Sequence, residues 1–345
     1  MLKSKYKPIG VAWELTLACN MKCMHCGSHA GQKRKQELTT NEALNLCEQL
    51  KELKAKYINF TGGEAILRSD WVEIGQKVKD LGMQLSILSN GLAIDKKTIS
   101  NFKKLHLYGV AISLDGGTSE THDTIRGVPG AFNKIITNLE MLKENGFPVS
   151  VITTVHRGNF KELPLIRDKI LGKTKAWQIQ IAVPIGRFPQ KLILTKEEFY
   201  ALAMFIASTK KKYPIKELAI MGAHSIGYHS KILRNTTVNP VWKGCQAGIS
   251  VIGIESDGSI KGCLSLPENF VEGNIRKRSL AEIWNDPKLF TYTRKFSESD
   301  LKNQCKECKF RKTCKGGCST ASYSITGDLH CNPYCLHQIE KQLFN

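Results

Sequence analysis

The chain has 345 residues, 41% of them hydrophobic, with a formal net charge of +19 and a pI near 9.4. That length holds more than one ordinary domain, or one barrel-sized domain with an appendage, and enough apolar residues for a large core. No apolar run is long enough to span a bilayer. The basic start "MLKSKYKPIGVAWELTLAC" lacks a small-residue cleavage site and carries Glu14 in its apolar part. It reads as a first strand, so a signal peptide and a membrane role are excluded and a cytoplasmic location is expected.

From residue 10 to about 185, short β-like runs alternate with amphipathic helical stretches. The expected strands are "GVAWELTL", "KYINFTG", "MQLSILSN", "YGVAISLDG", "FPVSVITTV" and "AWQIQIAVP", each apolar and rich in β-branched or aromatic residues. Between them, "TTNEALNLCEQLKELKA" opens with a helix-cap signal and "GAFNKIITNLEMLKENG" ends at a glycine. Such alternation implies a parallel sheet with helices outside, and six units make a partial (β/α)6 TIM-like barrel. Functional residues then belong at the C-terminal strand ends. "TGGE", "SNG" and "SLDGG" all fall there. Residues 195–235 read as a long helix and a connector, and a second region opens near Cys245 with a hairpin turning at Ser256-Asp257-Gly258. The expected division is a barrel over 1–190, a helical connector over 191–240 and a cysteine-rich domain over 241–345.

Twelve cysteines in a large chain with no export signal point to metal or redox chemistry rather than disulfides. They are clustered: three lie at 19–26, eight at 245–335, and Cys47 alone sits mid-helix as a small hydrophobe. Cys19, Cys23 and Cys26 follow the first strand as C-x3-C-x2-C. Thiolates select zinc, copper(I) or iron–sulfur clusters. A structural zinc site is closed by four ligands, whereas three leave one position open.

"CNMKCMHC" resembles the signature of the radical SAM superfamily, with His25 in its aromatic position. The resemblance extends along the barrel. It implies that Gly62, Gly63 and Glu64 of "TGGE" take the amino group of S-adenosylmethionine (SAM). It implies that Ser89, Asn90, Ser113 and Asp115 contact its ribose or carboxylate, and that Arg126 of "THDTIRG" reaches the carboxylate. Asn159 and Gln180 are further candidates for cofactor or substrate contacts. A [4Fe–4S] cluster on the three thiolates would keep one iron for SAM, whose reductive cleavage gives a 5′-deoxyadenosyl radical.

The second cysteine set resembles the SPASM extension of radical SAM peptide maturases, which carries two auxiliary iron–sulfur clusters, expected as [4Fe–4S]. The resemblance gives Cys245, Cys263 and Cys318 to the first, and Cys305, Cys308, Cys314 and Cys335 to the second. The first set is then one ligand short, and Cys331 has no assigned role. Leu264 stands where the sulfatase-maturase type has a carboxylate base, and no catalytic acid or base is assigned. The cluster motif begins too early for a preceding leader-binding domain, so the expectation for a peptide substrate is either a separate leader-recognition protein or recognition by the barrel itself.

The leading expectation is oxidative modification of a peptide, by thioether or carbon–carbon crosslinking or a related step. The alternatives are a tetrapyrrole side-chain enzyme acting on a small-molecule substrate, and a non-catalytic iron–sulfur carrier or zinc module. A reducing partner such as flavodoxin or ferredoxin is implied. The net positive charge suits an acidic partner or simply a lysine-rich surface. The basic runs are scattered and free of interleaved aromatics, so nucleic acid is not expected.

Overall fold

Each strand expected between residues 10 and 184 forms. The computed structural model describes residues 5–233 and 242–344, so the expected boundary at 240/241 lies outside the described residues. The barrel strands are β1 (Gly10–Thr16), β2 (Tyr57–Gly62), β3 (Gln84–Ser89), β4 (Gly109–Ser113), β5 (Val149–Val155) and β6 (Ala176–Ile181). They are all parallel and pair in chain order. The crossovers carry α1 (Thr40–Glu52), α2 (Trp71–Asp80), α3 (Lys96–Lys104), α4 (Ser119–Arg126), α5 (Ala131–Glu144) and α6 (Leu163–Ile170).

Local chemistry explains these boundaries. Thr39 caps α1, accepting from the Glu42 amide while the Glu42 carboxylate accepts from the Thr39 amide, a reciprocal box that satisfies two end donors. After α5, Gly146 takes φ +79 and its amide donates to the Lys143 carbonyl, closing the last turn. Alternate strand residues are fully buried: Val11 and Leu15, Ile58 and Phe60, Leu85 and Ile87 are 0% exposed. The period of two puts this row on one face, against the helices. The other row is half-buried and more polar, with Ser86, Ser113, Thr154 and Gln180 among it.

Two features depart from expectation. The stretch 191–240 holds α7 (Lys196–Lys212) and then a seventh parallel strand, β7 (Ala219–Gly222), paired to β6. Its four residues, "AIMG", are too few to show a period. The expected hairpin forms as β8 (Val251–Ile254) and β9 (Ser259–Lys261), but β8 also pairs in parallel with β1. With β10 (Gly273–Asn274) the result is one ten-stranded sheet, β10-β9-β8-β1-β2-β3-β4-β5-β6-β7. The cysteine-rich region continues through α8 (Leu280–Asn285), α9 (Thr291–Arg294), α10 (Arg311–Cys314), α11 (Ser319–Thr326) and the terminal α12 (Leu336–Phe344). Among the described residues, no helix is long and apolar enough to cross a membrane.

Candidate functional site

The loop after β1 is held at the mouth of the sheet from three sides. On one side the end of β2 lies against it: the Gly63 amide donates to the Thr16 carbonyl and the Glu64 amide to the Ala18 carbonyl. A Cβ on Gly62 would sit 2.2 Å from the Thr16 oxygen, and one on Gly63 2.2 Å from the Ala18 oxygen. These glycines are therefore required by the approach of β2 to the cysteine loop. On a second side, the Lys22 amide donates to the Arg126 carbonyl and the Met24 amide to the Ile125 carbonyl, as α4 stops at Gly127 with φ +68. On the third, the segment after β6 clamps the loop. The Arg187 amide donates to the Cys26 carbonyl, its Nε to the Cys23 carbonyl and its Nη1 to the Ala30 carbonyl.

All twelve cysteines are free thiols. Each of the three in this loop receives a hydrogen bond at sulfur. Asn90 Nδ2 lies 3.8 Å from Cys19, Arg126 Nη1 lies 3.6 Å from Cys23, and the Ala30 amide lies 3.3 Å from Cys26. Burial pushes the Cys19 thiol up to about 11. The three are close enough for Cys23 to act on Cys19 and Cys26 on Cys23.

Two buried carboxylates on this face have opposite fates. Glu64 accepts from the Asn90 amide at 2.7 Å through Oε2, and the Ser89 side chain and the Ile66 amide also act on this carboxylate; Oε1 has no partner within hydrogen-bond distance among the described residues. Burial raises it to about 7. Burial also pulls Asp115 upward, but the Arg126 guanidinium 2.5 Å away and His25 Nε2 at 3.3 Å outweigh it and hold it below the usual carboxylate range. Burial lowers His25 to about 4, so this ring is neutral at pH 7. Arg126 thus uses Nη2 on Asp115 and Nη1 on Cys23, and its buried Nε has no partner among the described residues.

The remaining expected contacts divide. Ser89 and Asn90 cap the β3 turn, accepting from the Gly91 and Leu92 amides, and Asn90 also bonds Asn20. Ser113 is half-buried at the end of β4, and Gln180 bonds the Thr154 hydroxyl. Asn159 spends its side chain on the Asp115 and Thr154 carbonyls and the His156 amide, so it fastens a loop. Arg187, Asn20 and Arg34 were not anticipated. "PIGRFP" after the sixth strand, with the polar, glycine-bearing character of the other strand ends, was the available signal for Arg187. Arg34 joins the cysteine loop to Glu14 of β1, at 2.9 Å, and to Glu255 beside the hairpin, at 3.5 Å. No sequence period marks that link.

In the C-terminal region the thiols sort into two groups. Burial, then Cys245 and Cys263, push Cys318 up to about 12. Burial, then Cys335, Cys308 and Cys331, push Cys305 up to about 12. Cys314 is raised by burial and by Cys335, Cys305 and Cys308. Cys331 is 1% exposed and its sulfur lies 3.1 Å from the Thr326 hydroxyl. It is among the groups that raise Cys305. Among the described residues, no three Cys, His, Asp or Glu side chains converge to hold a single ion. The donor sets instead fit wider iron–sulfur groups, with soft ligands and buried donors aimed at sulfur.

Comparison with known proteins agrees with this geometry. Residues 13–168 match the model of the radical SAM superfamily, and residues 245–309 match that of the SPASM iron–sulfur cluster-binding domain. An AdoMet-dependent heme synthase of Oleidesulfovibrio alaskensis is 30% identical, over 96% of this chain and 88% of its own. The mycofactocin maturase MftC of Mycobacterium ulcerans is 26% identical, over 92% and 84%. The crystal structure of Streptococcus suis SuiB bound to precursor peptide SuiA superposes with a TM-score of 0.74 at 19% identity, over 91% of this chain and 72% of that one.

Proposed function

The chain belongs to the radical SAM superfamily and carries a SPASM domain, and on that premise we propose that it oxidatively modifies a peptide side chain, by a thioether or carbon–carbon crosslink or a related step. It is a radical SAM enzyme, with SAM and iron–sulfur clusters as cofactors. When bound, these supply one-electron cleavage of the sulfonium and the 5′-deoxyadenosyl radical that abstracts hydrogen. The protein's own residues position and shield that chemistry. Cys19, Cys23 and Cys26 would hold the SAM cluster, and the second cysteine region would hold two auxiliary clusters. The Glu64 carboxylate would meet the methionine amino group and the Arg126 guanidinium its carboxylate, each side chain having one buried atom without a partner among the described residues. Asn90, Arg126 and the Ala30 amide steady the thiolates through hydrogen bonds to sulfur.

The observation that carries the reading is the set of three hydrogen-bonded thiols with no fourth, beside two buried groups of opposite charge, Glu64 and Arg126, each with one atom unpartnered among the described residues. Likeness to a maturase and to the peptide-bound SuiB fold supports the peptide. A tetrapyrrole is the second reading, supported by the relative named as a heme synthase. The two are separated by incubating the reconstituted enzyme, SAM and dithionite with a peptide encoded beside its gene, and in parallel with an iron porphyrin bearing propionates. Loss of two hydrogens from the peptide mass supports the first reading. An altered Soret band with an unchanged peptide overturns it in favour of the second.

A further inference from the structure

The first auxiliary set is one thiol short. Ser319 is hydrogen-bonded to Cys245, and the Thr320 hydroxyl lies 3.7 Å from the Cys263 sulfur. Tyr292 of α9 packs its hydroxyl over Gly262, the residue before Cys263. Its hydroxyl oxygen is buried and has no hydrogen-bond partner among the described residues. The approach is close, since a Cβ on Gly262, the residue before Cys263, would lie 2.1 Å from that oxygen. The ring is fixed by Phe270, edge-on at 82° with centroids 5.4 Å apart. Leaving a buried hydroxyl unpaired is costly, so an oxygen fixed here in packed surroundings calls for a partner that the described residues do not provide.

We propose that the Tyr292 phenolate is the fourth protein ligand of the iron–sulfur cluster held by Cys245, Cys263 and Cys318. The inference rests on the auxiliary-cluster reading above. On loading, the phenolic proton passes to solvent and an iron–oxygen bond forms, with no change in oxidation state. A bound cation favours the ionised form of its ligands, as metals do for coordinated water and thiols. Tyrosinate is an established ligand type for protein-bound iron. A cluster closed in this way passes electrons and does not bind substrate, unlike one with an open iron.

The test uses the full chain carrying Cys19→Ala, Cys23→Ala and Cys26→Ala, reconstituted anaerobically with iron and sulfide so that only auxiliary clusters remain. Resonance Raman spectra are recorded with and without Tyr292→Phe, which deletes one oxygen and keeps the ring. The expected result is tyrosinate bands enhanced through an iron charge-transfer transition, lost in Tyr292→Phe, with a shifted electron paramagnetic resonance signal of the reduced cluster. Full auxiliary iron, about eight atoms for two four-iron clusters, without tyrosinate bands in the parent overturns this inference alone. Iron below about four atoms in the parent overturns the auxiliary-cluster reading and the inference with it.

Discussion

At the scale of single residues, the site separates two carboxylates by environment. Asp115 has a guanidinium partner and stays ionised, whereas Glu64 is buried with one free oxygen and is raised to about 7. Such opposed shifts mark groups with different tasks. An incoming ammonium favours ionised Glu64, so binding releases its proton below pH 7 and affinity rises with pH. The gain from pH 6 to pH 8 is about fourfold, since the ionised fraction of Glu64 rises from roughly a tenth to nearly all while the free α-ammonium begins to lose its proton near pH 8. Anaerobic SAM titrations of the reconstituted enzyme measure this directly. The rise should disappear in Glu64→Gln, and a wild-type affinity flat over this range contradicts the assignment. Glu64 was legible from its motif. Its free oxygen was not, because burial depends on which loops close over it.

At the scale of elements, the decisive contact is the end of β2 against the loop that follows β1. The two glycines of "TGGE" were expected to let the backbone approach a cofactor. The structure uses them first to let β2 reach the cysteine loop, since Cβ atoms there would overlap the Thr16 and Ala18 carbonyls. Gly63→Ala should force the two apart, at a cost of about 1–3 kcal/mol or more from overpacking, and should lose the SAM cluster, about four irons per chain. Gly31→Ala in the same loop meets nothing within 4 Å and should keep them. Iron analysis with circular dichroism checks both. Equal iron in Gly63→Ala and wild type contradicts this role. The strands, the α1 cap and the cysteine register were readable because each is a local pattern. The clamp by Arg187 was not, since it joins the end of β6 to a loop some 160 residues earlier.

At the scale of the molecule, the barrel and the cysteine-rich region share one sheet. β8 covers the outer edge of β1, and Arg34 ties the first cysteine loop to Glu255 next to the hairpin. An edge covered in this way is protected from pairing with other chains. It also ties the hairpin that carries Cys263 to the strand that precedes the first three cysteines. The sequence showed a hairpin but not its partner, because "VIGI" carries no signal for where it pairs. Tyr292 likewise looked like an ordinary residue of a short helix until the fold set its hydroxyl against Gly262, the residue before Cys263. If Cys19, Cys23 and Cys26 hold an open cluster for SAM, the anaerobically reconstituted enzyme with SAM and dithionite should form 5′-deoxyadenosine. The Cys19→Ala, Cys23→Ala, Cys26→Ala variant should form none while retaining about eight irons. No product from fully loaded wild type, or equal product from both, contradicts this assignment.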